Sequence, residues 1–142
     1  MAEEPIDLIR LEGNGNSVVL RITGPAGREG TAPAGSLAAE FVVDTPFVRG
    51  TLATLLAPGD LREWQECLDA LDAGQDIAWC DGQRIPSLSV ERDADGDDRC
   101  HVSVKDHHPS PTEVTVTVPL VDAWFDDAYR RLEQVCDTWP MT

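Results

Sequence analysis

The stretch from Pro58 to Gly74 limits what this chain can fold into more than any other. Leu61, Trp64, Leu68 and Leu71 recur at steps of three and four, so they share one face of a helix. Pro58 suits the first turn, where a backbone N–H has no partner anyway. Asp60 and Glu63 place negative charge near the positive end of the helix dipole. Gly74 follows Ala73 where a left-handed residue ends a helix. Burying the four apolar side chains contributes roughly 1.5–3 kcal/mol each before entropy is counted. A helix over 58–73 must therefore dock on an apolar sheet and define the core.

Strand-like runs lie on both sides of it. Residues 7–11 and 17–23 flank Asn14-Gly15, a strong hairpin signal. Residues 24–36, rich in Gly, Ala and Pro, read as a mobile surface loop, and without G-K-[ST] they are not a phosphate-binding loop. Ala39, Phe41 and Val43 alternate with Glu40 and Asp44, Thr45-Pro46 interrupts, and Val48, Leu52 and Leu56 share the next parity. Beyond the helix, 77–80 is a short strand and Leu88 and Val90 begin another. Cys100, Val102 and Val104 then alternate with His101, Ser103 and Lys105, and Val114, Val116 and Val118 with Thr115 and Thr117. Trp124, Ala128, Leu132, Val135 and Trp139 form a second helical stripe over 122–137, with Asp122 as N-cap and Pro140 as the stop. Short links between strands imply hairpins. The expectation is one α+β domain over 1–142, a curved antiparallel sheet or partly open barrel of about eight strands with two packed helices. Two halves of similar layout hint at duplication, without a residue-level repeat.

Charge is where composition departs from the ordinary. Twenty-six acidic residues face eleven basic ones, a net of −15 at pH 7. The excess is spread along the chain, which repels nucleic acid and anionic membranes and favours basic partners. The acidic N-terminus lacks the features of a signal peptide, and no apolar run approaches a membrane span, so a cytoplasmic protein is expected. Cys67, Cys80, Cys100 and Cys136 form no C-x-x-C pair and read as reduced core thiols.

Candidate chemistry thins out on inspection. Phe41-Val42-Val43-Asp44-Thr45 resembles the start of an aspartic-protease site, but Pro46 stands where that site needs Gly and no second copy exists. Asp93-Ala94-Asp95-Gly96-Asp97-Asp98 resembles a calcium loop, yet Asp98 and Val104 occupy the positions an EF-hand reserves for Gly and Glu, so an Asp-Gly turn is the better reading. Cys100 and His101 point to opposite faces of a strand, and His107-His108 lie in a proline-containing loop, so neither pair suits zinc. No catalytic, metal or cofactor residue is expected. Trp64 and Trp124 read as core anchors; Trp79 and Trp139 lie near element ends, where interface anchors are often found, but core burial is the better reading for both. The carboxylates remain: Glu63, Glu66, Asp69 and Asp72 on the first helix, Asp126 and Asp127 on the second, and Asp93, Asp95, Asp97 and Asp98 in the acidic turn. Together they make a candidate electronegative docking surface.

As a whole the chain resembles an uncharacterised family of small actinobacterial proteins of the Streptomyces type. The resemblance lies in 7–12, 16–21 and 41–48, in Leu61-x-x-Trp64-x-x-x-Leu68-x-x-Leu71-x-x-Gly74, and in Thr138-Trp139-Pro140. That family brings no assigned activity. More distantly, the order of strands, helix, strands and closing helix resembles WapI-type immunity proteins, which neutralise toxin domains. The expected function is therefore a non-enzymatic acidic binding protein of immunity type that docks a basic partner. The alternative is a small-molecule binder, with its ligand in the hollow of the sheet near Trp79 and His101. An enzyme, third, would need His101, His107 or His108 in a cleft beside carboxylates.

Overall fold

Asn14 and Gly15 take φ of 56° and 85°, the positive values that a two-residue primed turn requires at both centres. They fold β1 (Ile6–Gly13) back on β2 (Asn16–Pro25). The computed structural model describes residues 5–25, 36–80, 86–93, 98–106 and 111–139. The meander continues through β3 (Leu37–Asp44) and β4 (Arg49–Leu56) to give an antiparallel sheet in the order β1-β2-β3-β4. Helix α1 (Pro58–Asp72) follows, then β5 (Ile77–Trp79), β6 (Ser87–Arg92), β7 (Arg99–Asp106) and β8 (Thr112–Pro119) as a second antiparallel sheet in sequence order. Helix α2 (Asp122–Thr138) closes the chain. The fold is α+β, with eight strands in two sheets and no closed barrel among the described residues.

The inner faces come from the expected alternation. Val18, Leu20, Ile22, Ala39, Phe41 and Val43 are buried on the first sheet, and Val90, Cys100, Val102, Val116 and Val118 on the second. A register shift between Asp7 and Ile9 is a departure: this bulge lets the adjacent Leu8 and Ile9 both be buried. The Gly-rich stretch also differs from expectation at its ends, since Gly24 and Pro25 extend β2 and Ser36 is buried. Residues 26–35 lie outside the described residues.

Helix α1 buries Leu61, Trp64, Leu68 and Leu71, as their spacing requires. At its start the Asp60 carboxylate accepts the N–H of Ala57 at 2.8 Å. At its end Gly74, with φ +94°, donates to Leu71 O and Gln75 donates to Ala70 O, the paired bonds of a Schellman ending. Three expectations need correction. Val121, not Asp122, is the N-cap of α2; Asp122 is its first helical residue and acts only through its charge. Phe125 is buried where Trp124 was expected, because Trp124 lies half-buried and donates its indole N–H to Arg10 O at 2.8 Å. Cys136 is exposed on α2, so it is no core thiol. Trp79 and Trp139, the tryptophans at element ends, are both buried.

Where the β1–β2 hairpin meets β8, the packing leaves no slack. Asn16 Nδ2 donates to Thr117 O at 3.0 Å, tying the β1–β2 hairpin to β8. Beside it Gly13 has φ +152°, and a Cβ there would sit 2.6 Å from the Pro119 ring. Gly13→Ala is therefore expected to cost roughly 1–3 kcal/mol through strain and overpacking. Denaturant unfolding would check this; an unchanged midpoint would mean that the seam yields freely.

Burial also sets thiol chemistry. It pushes Cys67 up to about 11, helped by the charges of Glu63 and Glu66. It pushes Cys80 up to about 12 and Cys100 up to about 11. A thiol reagent at neutral pH should label Cys136 first and the other three only on unfolding. Fast labelling of all four in the native protein would contradict this core.

Candidate partner-binding face

The two helices concentrate the charge of the chain. Helix α1 carries five carboxylates and one arginine, and α2 carries five carboxylates and two arginines. Their net charge of −7 is nearly half of the −15 total. The helices lie side by side, and the Tyr129 hydroxyl on α2 donates to Asp69 Oδ1 on α1 at 2.6 Å. Around that contact the helical period stacks Glu66 and Asp72 one turn either side of Asp69, and Asp126 and Glu133 one turn either side of Tyr129. All four of these carboxylates are exposed, and none forms an ion pair among the described residues. Burial, the bond to Asp69 and the charges of Asp69 and Asp72 push the Tyr129 phenol up to about 12. It stays a neutral donor.

Arg92 on β6 supports this face from beneath. Its Nη2 donates to Leu71 O at 2.5 Å, at the negative end of α1, and its guanidinium lies 5.8 Å from the Phe125 ring centre of α2. One cation thus serves both acidic helices. On α2, Asp127 is held by Arg131 at 2.7 Å and by Arg130, and Arg131 also donates to Asp7 O at 3.2 Å.

The remaining acidic candidates take other roles. Glu63 is half-buried and accepts the N–H of Cys80 at 3.1 Å, pinning a residue with φ +62°. The Asp93 side chain is only 7% exposed, paired with Arg99 and 4.0 Å from His101 Nε2. Asp98 is exposed, and its carbonyl accepts the N–H of Leu120. Asp95 and Asp97 lie outside the described residues. So of the ten candidates the structure gathers Glu66, Asp69, Asp72 and Asp126, and turns Glu63, Asp93 and Asp127 toward internal partners. Sequence reasoning missed Tyr129 and Arg92. A lone tyrosine one turn from two carboxylates on the second helix was the available signal.

Trp79 and His101, near which the alternative reading placed a ligand, lie in different surroundings. Trp79 is fully buried, its ring centre 5.1 Å from that of Trp64, and its N–H donates to Asp60 O at 2.9 Å. His101 stands on the outer face of β7, its Nδ1 2.9 Å from Thr117 Oγ1. His107 and His108 lie outside the described residues. Among the described residues no group of three or more His, Cys, Asp and Glu side chains is placed to hold a metal ion. No helix among them is long and apolar enough to cross a membrane.

Fold and surface define an α+β protein of two facing sheets whose helical side is strongly acidic. Residues 6–140 match a family described as a family of unknown function (DUF5959), and the chain belongs to it. No curated protein matches the sequence.

The Asp127 pairs give this side a pH dependence. Burial would raise the Asp127 carboxyl, but the hydrogen bonds and charges of Arg131 and Arg130 outweigh it and hold the group below its ordinary value. Its stabilisation is therefore complete above the unfolded value of about 3.9 and disappears as pH falls through the lower folded value. Wild type should exceed Asp127→Asn in stability at neutral pH, with the gap closing in strong acid. Denaturant titrations across that range test this; a gap that stays constant would remove the assignment.

Proposed function

We propose that this chain is a non-enzymatic binding protein of immunity type, of actinobacterial origin and cytoplasmic, that docks a basic partner protein such as a toxin domain. The observation that carries the reading is the pair of acidic helices joined at Tyr129–Asp69, with Glu66, Asp72, Asp126 and Glu133 exposed around the joint. An array of like charges on two adjoining helices costs stability through self-repulsion, a cost that a cationic partner would offset. Docking to such a face would be fast and salt-sensitive. The layout resemblance to WapI-type immunity proteins points the same way. Only two sheets and two helices are needed to present the face, and no reacting group enters the reading.

The test compares tagged wild type with a Glu66→Lys, Asp72→Lys, Asp126→Lys variant in pull-downs from the source organism's lysate. The expected result is a basic protein captured by wild type at low salt, released at high salt, and bound at least about tenfold more weakly by the variant. Equal capture of the same partner by the variant, or an association rate indifferent to salt, would defeat the proposal.

A further inference from the structure

The two sheets pack against each other through a continuous core, but among the described residues a gap remains at one end between them. A cleft of about 200 Å³ lies there, walled by Phe41, Val43, Val48, Leu52, Val104 and Val114. Gly50 also lines it and contributes no side chain to fill it. This residue sits opposite Val43 in the β3–β4 register and shares the inward parity of Leu52 and Leu56. Its backbone is not left-handed, and a Cβ built on it meets no atom within 4 Å. Nothing among the described residues therefore demands glycine at this strand position, where it weakens the sheet. Glycine in a strand often marks the close approach of something else.

Phe47 is one residue along the chain from this lining. It is 95% exposed, and the following residue, Val48, lines the cleft. The turn that carries it is well tied. Thr45 Oγ1 accepts the N–H groups of Phe47 and Val48 at 3.1 and 2.7 Å, and Thr45 N–H donates to Val48 O at 2.8 Å. A phenyl ring is thus held in water one residue from the wall of an apolar cleft, and it is not among the residues that line that cleft. The hole is the right size, since a cavity of roughly 150 Å³ accommodates benzene. When knob and hole adjoin on one surface, two copies related by a two-fold axis fill both holes at once, and the assembly closes.

We propose that the chain forms a two-fold dimer in which Phe47 of each copy enters the cleft of the other. The rim suits two copies of an acidic chain. Residues 50–57 carry no charge, and Arg49 is paired with Asp44 at 3.0 Å. Asp106 is the one carboxylate among the described lining residues. Strand β4 is an edge of its sheet, so its neighbourhood is open to a second chain. None of the helical carboxylates takes part, so dimerisation and partner docking stand or fall separately.

Two variants test this on the full chain, by sedimentation equilibrium over roughly a hundredfold range of concentration. Phe47→Ser removes the knob, and its fold is safe because the ring is almost wholly in solvent. Gly50→Leu fills the hole, and open space receives the new side chain. The wild-type mass should rise from 15.5 kDa toward twice that value. Both variants should associate at least about tenfold more weakly while keeping the wild-type circular dichroism. A wild type that stays monomeric throughout overturns the proposal. So does dimerisation that survives either substitution, or native mass spectrometry showing a monomer with a small apolar ligand bound.

Discussion

No hydrogen-bonded strand pair joins the two four-stranded sheets among the described residues, so the halves are held by what passes between them. Each meander has one apolar face and cannot bury it alone. The faces close on each other, and polar groups aimed at backbone fix how they do so. Trp79 of β5 donates to Asp60 O at the start of α1, and Trp124 of α2 donates to Arg10 O on β1. Arg131 of α2 adds a bond to Asp7 O. Each indole contributes apolar area and one directed N–H, which makes tryptophan suited to a joint that has no strand ladder. The helices thus act as clasps between the sheets as well as covers over them.

That role explains why the acidic surface lies where it does. A clasping helix buries one stripe and leaves the other to water, and both helices here spend the exposed stripe on carboxylates. Once the clasps lie side by side, two separately solvated faces become one. Repulsion between them is relieved by a neutral phenol on one side and by the Arg92 guanidinium beneath. A single arginine placed between Leu71 O and the Phe125 ring suits the site because its planar cation both donates and stacks. Packing and charge therefore share the same few residues.

Much of the architecture was legible because apolar spacing is a local signal. The stripe of α1, the Asn14-Gly15 turn and the alternation along β3, β7 and β8 each repeat within a few residues. Reading failed where tertiary contact overruled the local pattern. Helical spacing favoured Trp124 for the core, yet Arg10 O draws its indole to the half-exposed edge while Phe125 takes the interior. The Asp93 carboxylate looked like part of a solvated turn, but Arg99 across that turn draws it out of water.

By itself the sequence determined the element order, the two buried helical stripes, the inward faces of the strands and the size of the negative charge. These follow from residue type and from periods of 2 and 3.6, which act over a turn or a few strand positions. Only the tertiary structure decided that the chain divides into two sheets, that Tyr129 meets Asp69 sixty positions away, and that Gly50 lines a cleft between the sheets. Such pairings depend on how twisted sheets and helices settle against one another in three dimensions. No period in the chain encodes that settlement, because the contacts that fix it join residues far apart along the chain.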